Sequence, residues 1–229
     1  MSDTKRHRLN HIALIPVANF PSQLTQIVLA VQHLLSIGIS PRNIQLVGDS
    51  AGGNIILQLI SHILHPVADV PNLSIASPFG NVLLISPRIR LFFPKVEGSI
   101  VTNSKKDVFT IPAMLHIYNF ILENTPESGY LFLDSINAHD GWFSDIKKVA
   151  RKVLITAGDD ELLRDTIVAF AKRICEVHPE ATYLVQENGI HDDPVFDFMV
   201  PDPMTIGSLT PKMVDWLASG WSDALSFST

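Results

Sequence analysis

The sequence predicts an α/β fold, a mostly parallel sheet flanked by helices. Apolar runs of strand length recur along the chain, and they are nearly continuous rather than alternating, as in strands covered on both faces. Segments of helical periodicity separate them. Glycine and proline stand at the ends of several of those segments.

Taken in order, "HIALIPV" (11–17) reads as the first strand. From Ser22 to Ile37 the residues Leu24, Ile27, Val28, Val31, Leu34 and Leu35 repeat at helical spacing, and Gly38 stands just past the end. "IQLVG" (44–48) is the next strand, followed by a helix from Asn54 to Leu64 that is apolar on most sides and is stopped by Pro66. "NVLLIS" (81–86) is a third strand. The stretch from about 87 to 150 breaks the rhythm. It carries "NSKKD", a helix around Pro112 to Leu122 and a turn-rich segment leading to Trp142. It reads as an excursion over the sheet, a cap or pocket wall, within a single domain spanning 1–229. "KVLITA" (152–157), a helix over 162–177 with Leu163, Ile167, Phe170, Ala171 and Ile174 on one stripe, and "TYLVQ" (182–186) restore the alternation. "LTPKMVDWLASG" (209–220) reads as a last helix, with Pro211 near its start and Gly220 at its end. Strands alternating with helices imply right-handed crossovers.

Bulk composition narrows the function. The 229 residues are 46% hydrophobic and 17% charged, enough to fill a sizeable core. A net charge of −6 with no long basic run argues against nucleic acid or an anionic membrane as partner. A single cysteine, Cys175, cannot form an internal disulfide, and this points to a reducing, cytoplasmic compartment. No apolar stretch has the length of a membrane span. Lys5, Arg6 and Arg8 precede "IALIPVA" as in a secretory signal, but the apolar part is short, holds Pro16 and lacks a clear cleavage site, so a strand is the better reading.

The chemistry centres on "LVGDSAGGNI" (46–55). Gly48-x-Ser50-x-Gly52 falls where a strand runs into a helix, the context of a nucleophile elbow. There the serine takes a strained conformation that lifts its hydroxyl above the sheet, the residues two before and two after it, Gly48 and Gly52, must lack side chains, Gly53 completes the elbow glycines, and the helix aims its amides at the reacting centre. A serine needs a base, and the base an orienting acid. "AGDDELLRD" after the strand at 152–157 offers Asp159, Asp160 and Glu161, and "ENGIHDD" after the last strand offers His191, with Gly189 allowing a sharp turn. Of nine histidines, His7, His11 and His33 precede the serine, and His62, His65, His116, His139 and His178 do not follow the last strand. They read as solvated or packed residues.

"GDSAGG" before an apolar helix, "AGDDELLRD", "GIHDDPVFDF" and the upstream "NFPSQLTQIVLAVQHLL" together resemble the hormone-sensitive-lipase-like branch of the α/β-hydrolases, in the variant found among fungal carboxylesterases and steryl-acetate-hydrolase-like proteins. The likeness runs from about residue 11 to the end. It implies ester hydrolysis with Ser50 as nucleophile, His191 as base, and no cofactor. For the acid, counting back from Leu163-Arg164-Asp165 selects Glu161, and counting forward from "ITA" selects Asp160 as the alternative. The resemblance also implies a His-Gly-Gly loop upstream of the elbow that forms half of an oxyanion hole. Residues 1–49 hold only Gly38 and Gly48 and no such loop. The sequence thus reads as a hydrolase fold lacking its first strands, with Ala51 N–H as oxyanion donor and an exposed edge at "HIALIPV" through which a homodimer would pair.

The expected partner is a small-molecule ester with an apolar acyl or alcohol part, walled by the Leu-, Phe- and Ile-rich stretch 87–150. No residue cluster has metal-ligand spacing. The competing expectations are a catalytically impaired module that binds a ligand or partner, and a non-hydrolytic acyl or carbonyl step in natural-product synthesis.

Overall fold

The computed structural model describes residues 18–93, 95–199 and 206–226. The strand expected at 11–17 lies outside them. The described chain forms a four-stranded sheet in the order β1 (Leu46–Asp49), β2 (Phe79–Ile85), β3 (Ala150–Gly158), β4 (Ala181–Gln186). All three pairings are parallel. The helices are α1 (Ser22–Ser36), α2 (Ala51–Leu64), α3 (Ser99–Thr102), α4 (Ile111–Glu123), α5 (Tyr130–Leu133), α6 (Arg164–Val177), α7 (Asp193–Met199) and α8 (Leu209–Ser226).

Parallel strands need a covering layer on each face, and β2 records this directly, with every residue buried. Its side chains alternate between two clusters. Val82 and Leu84 join the large core beneath α1, α2 and α6, while Leu83 and Ile85 join a smaller one with Leu209 and Met213 of α8. Each such side chain contributes roughly 1.5–3 kcal/mol of hydrophobic stabilisation when fully buried. α2 sits deepest, with Leu57, Leu59 and Ile60 almost fully covered. Its apolar character on most sides has this cause.

Two elements depart from the sequence reading. α8 does not stop at Gly220 but continues to Ser226. Gly220 is a contact residue: a Cβ there would stand 2.3 Å from Asn81 Nδ2. Asn81, buried in β2, donates to Trp216 O and so ties α8 to the sheet. α7 follows the histidine loop directly, and its short run from Asp193 carries too few turns for helical periodicity to register. Between β2 and β3 lie α3, α4 and α5. The longest is α4, capped by Thr110, whose Oγ1 accepts from Ala113 N at 3.3 Å. Met114, Tyr118 and Ile121 make its buried face. Among the described residues no helix is long and apolar enough to cross a membrane.

Candidate active site

The C-terminal ends of the four strands lie at one end of the sheet, β3 and β4 running two residues past β1 and β2, and each feeds one residue into a common site. Asp49 is in register with Ile85, Ile85 with Thr156, and Gly158 with Gln186. The next residues along are Ser50, Ser86, the loop bearing Glu161, and the loop bearing His191. Open parallel sheets gather function at this edge because every strand terminates there.

Ser50 has φ 45° and ψ −108°, a conformation that costs a non-glycine residue on the order of 1–3 kcal/mol. The ladder holds it in place: Ser50 N donates to Ile85 O at 2.9 Å, and Arg88 N donates to Ser50 O at 2.9 Å. The glycines around it differ in what they do. A Cβ on Gly48 would lie 2.5–2.7 Å from backbone atoms of Gly52 and Gly53. One on Gly53 would lie 2.8 Å from Pro87 Cβ. One on Gly52 would meet nothing nearer than Asp49 Oδ1 at 3.5 Å, an ordinary contact. The close approach therefore forbids side chains at Gly48 and Gly53 and leaves room at Gly52.

His191 Nε2 stands 2.9 Å from Ser50 Oγ, and His191 Nδ1 stands 2.7 Å from Glu161 Oε1. Glu161 is completely buried, and its second oxygen accepts from Gly158 N and Ser86 Oγ, both at 3.0 Å. Burial raises the Glu161 pKa above the ordinary carboxylate value, against the His191, Gly158 and Ser86 hydrogen bonds that favour the ion. Asp160 is turned away: its Oδ1 pairs with Lys106 Nζ at 2.6 Å. Asp159 pairs with Arg164 at 3.0 Å. Of the three candidate acids, only Glu161 reaches the histidine.

His191 has a second acidic neighbour. Asp192 Oδ2 lies 3.3 Å from Nε2, on the side that faces Ser50. Burial disfavours a charged imidazole, but hydrogen bonds and charge from Asp192 and Glu161 outweigh it and lift the pKa to about 10. Asp192 itself has φ 57°, with its N–H on Ser86 Oγ at 3.1 Å. In the same loop, Asn188 takes the positive φ of 55°. Gly189 serves packing instead, since a Cβ on it would lie 2.9 Å from Gln186 Cβ, and one on Gly158 would lie 2.2 Å from Gly189 O. The acid and histidine loops thus touch backbone to backbone.

Asp107 joins these loops from the excursion. Its Oδ2 accepts from Leu162 N at 2.7 Å, and its Oδ1 from His191 N at 2.9 Å. Asn103 adds two bonds to the acid loop, to Asp159 O at 2.8 Å and Glu161 O at 2.9 Å. Neither residue stands out in sequence. "NSKKD" has the composition of an exposed turn, and its partners in the acid and histidine loops lie 54 to 84 positions away. Ser86 closes the apolar run 81–86 and has no motif around it.

A cavity of about 240 Å³ opens at Ser50 and His191, walled by Phe109, Met114, Tyr118 and Leu162 among others. Ala51, the first residue of α2, lines it beside the serine. His7 and His11 lie outside the described residues. His62 and His178, buried, and His65, half-buried, bond to backbone carbonyls, and His33 and His139 are exposed. His116 lines a neighbouring cavity.

A family model described as steryl acetyl hydrolase matches residues 14–201. A putative steryl acetyl hydrolase, mug81, of Schizosaccharomyces pombe is 31% identical over 181 residues, covering 75% of this chain and 45% of its own length. Among solved structures, the esterase EstE5 superposes with a TM-score of 0.69 at 19% identity, over 90% of this chain and 63% of that one. An esterase from the bacterial hormone-sensitive lipase family gives 0.62 at 23% identity, over 81% and 57%. Carboxyl esterase 2 of Tuber melanosporum gives 0.59 at 19%, over 77% and 56%. At these identities the solved structures establish the fold. The chain spans about half the length of the curated relative and about 60% of the solved esterases.

Proposed function

The chain belongs to the steryl acetyl hydrolase family, and from that premise we propose that it hydrolyses carboxylic esters through an acyl-enzyme on Ser50. The observation that carries this reading is the relay Ser50 Oγ–His191 Nε2 at 2.9 Å and His191 Nδ1–Glu161 Oε1 at 2.7 Å, set at the mouth of an apolar cavity.

Ser50 Oγ attacks the ester carbonyl while its proton passes to His191 Nε2. The buried Glu161 carboxylate orients the ring and balances the imidazolium. The carbonyl oxygen becomes an oxyanion beside Ala51, whose N–H stands at the positive end of α2. His191 then returns the proton to the leaving alcohol, the C–O bond breaks, and a water deprotonated by His191 releases the acid. The family name points to acetyl esters of sterols. The cavity at Ser50, about 240 Å³, suits a small acyl group, and the adjoining one of about 390 Å³ suits an apolar alcohol.

The test is labelling by a fluorophosphonate probe together with hydrolysis of short p-nitrophenyl esters, with Ser50→Ala as control. Glu161→Gln should lower kcat/KM by at least about a hundredfold, while Asp160→Asn should leave it within a few-fold. Well-folded protein that neither labels nor turns over sinks the reading.

A further inference from the structure

We propose that Arg88 is a subsite for a carboxylate carried by the ester substrate, a few bonds from the scissile carbonyl. This rests on the reading of Ser50 as an esterase nucleophile, and it replaces the acetyl group that the family name points to with an acyl group that carries a charge.

Arg88 follows β2, where the chain turns beneath the elbow, and the residue is 9% exposed. It lines both the cavity at Ser50 and its larger neighbour. Those cavities are otherwise bounded mainly by apolar side chains, Met114, Ile117, Ile121 and Leu162 among them. One guanidinium nitrogen is spent: Nη2 donates to Asn54 Oδ1 at 2.9 Å. Nε and Nη1 are buried and have no hydrogen-bond partner among the described residues. No carboxylate lies within ion-pair distance of Arg88 among them either. Burial pulls its pKa below the ordinary value, against attraction from Tyr118 and, less, from Asp134; the guanidinium carbon stands 6.0 Å from the centre of the Tyr118 ring, a face that leaves Nε and Nη1 without an acceptor.

A purely structural role does not account for this. Asn54 Oδ1 already accepts from Gln58 Nε2 at 2.8 Å, and Asn54 Nδ2 serves Arg88 O and Leu133 O. The asparagine would be satisfied without the guanidinium. A buried, incompletely paired cation is unfavourable unless an anion meets it. A neutral acceptor would satisfy the N–H groups but not the charge; a carboxylate satisfies both. Asn54 lies one turn, roughly 6 Å, along α2 from Ser50. The ligand charge therefore belongs a short chain away from the reacting carbon, as in a half-ester of a dicarboxylic acid.

The test compares monoethyl adipate with its neutral isostere diethyl adipate. Calorimetry on the Ser50→Ala chain measures binding without turnover. The monoester should bind at least about tenfold more tightly, the order expected for a charged hydrogen bond. Arg88→Met in that background should abolish the preference, and Arg88→Lys, which keeps the charge, should retain part of it. Equal affinity for the two esters, no detectable monoester binding, or a preference that survives Arg88→Met overturns the proposal. Hydrolysis of diethyl adipate by the unsubstituted chain is measured separately. A binding preference without any hydrolysis sinks the esterase reading and leaves the subsite standing, and hydrolysis without a preference does the reverse.

Discussion

Replacing Asp192 by asparagine should move the pH dependence of the reaction toward acid. His191 must be neutral at Nε2 to take the Ser50 proton. With its pKa lifted to about 10 it is protonated at neutral pH in the free site, so kcat/KM should climb through the alkaline range. Asp192 Oδ2 sits 3.3 Å from that nitrogen, and its side chain is 17% exposed. At an effective dielectric of about 20, unit charges at this distance attract by ~5 kcal/mol. Measured shifts from a single opposite charge at such range are smaller, about 1–3 pKa units, or ~1.4–4 kcal/mol. Asp192→Asn removes the charge and keeps the shape, so the ascending limb should fall by about 1–3 units. The assay is kcat/KM for a p-nitrophenyl ester from pH 5 to about 10, corrected for spontaneous hydrolysis. Stability gives a second readout of opposite sense. A raised histidine pKa contributes stability that is fully present below the unfolded value near 6.5 and is lost as pH rises through about 10. The substitution should therefore lower Tm most at pH 6 and hardly at all above about pH 10. A limb that stays in place or moves to higher pH refutes the reasoning, as does a Tm deficit that grows with pH.

Two further outcomes follow from packing and hydrogen bonding. Asp107→Ala leaves Leu162 N and His191 N without their acceptor. At about 1–3 kcal/mol for each unsatisfied group, kcat/KM should drop at least tenfold, and Asp107→Asn, which retains one acceptor oxygen, should restore part of it. Gly48→Ala drives a methyl into the Gly52–Gly53 backbone and should cost about 1–3 kcal/mol, or roughly 2–12 °C in Tm by calorimetry. Gly52→Ala meets only an ordinary contact and should melt within about 2 °C of the parent.

The sheet was legible because its strands are short apolar runs buried on both faces, a pattern that leaves a direct mark on composition. The runs at 44–48, 81–86, 152–157 and 182–186 all fall on strands of the sheet. Ser50, Glu161 and His191 were legible because each stands just after such a run, where a parallel sheet delivers its loops. What stayed hidden is long-range. Asp107 acts through bonds to residues 55 and 84 positions away. Gly220 looks like a helix stop, and only the approach of Asn81 gives it another purpose. The choice between Asp160 and Glu161 depended on side-chain direction at one tight turn, which residue spacing does not encode.

The fixed register of the strand ends has a mechanical meaning. The rungs of the ladder are the ruler by which the serine, the carboxylate and the imidazole are set against one another. A slip of one residue anywhere between β1 and β4 would displace its loop by about 3.3 Å and reverse its faces. That is larger than the whole 2.9 Å span between Ser50 Oγ and His191 Nε2. The apolar side chains in the middle of β2 and β3, far from any reacting atom, therefore set the alignment tolerance of the site as well as the stability of the sheet.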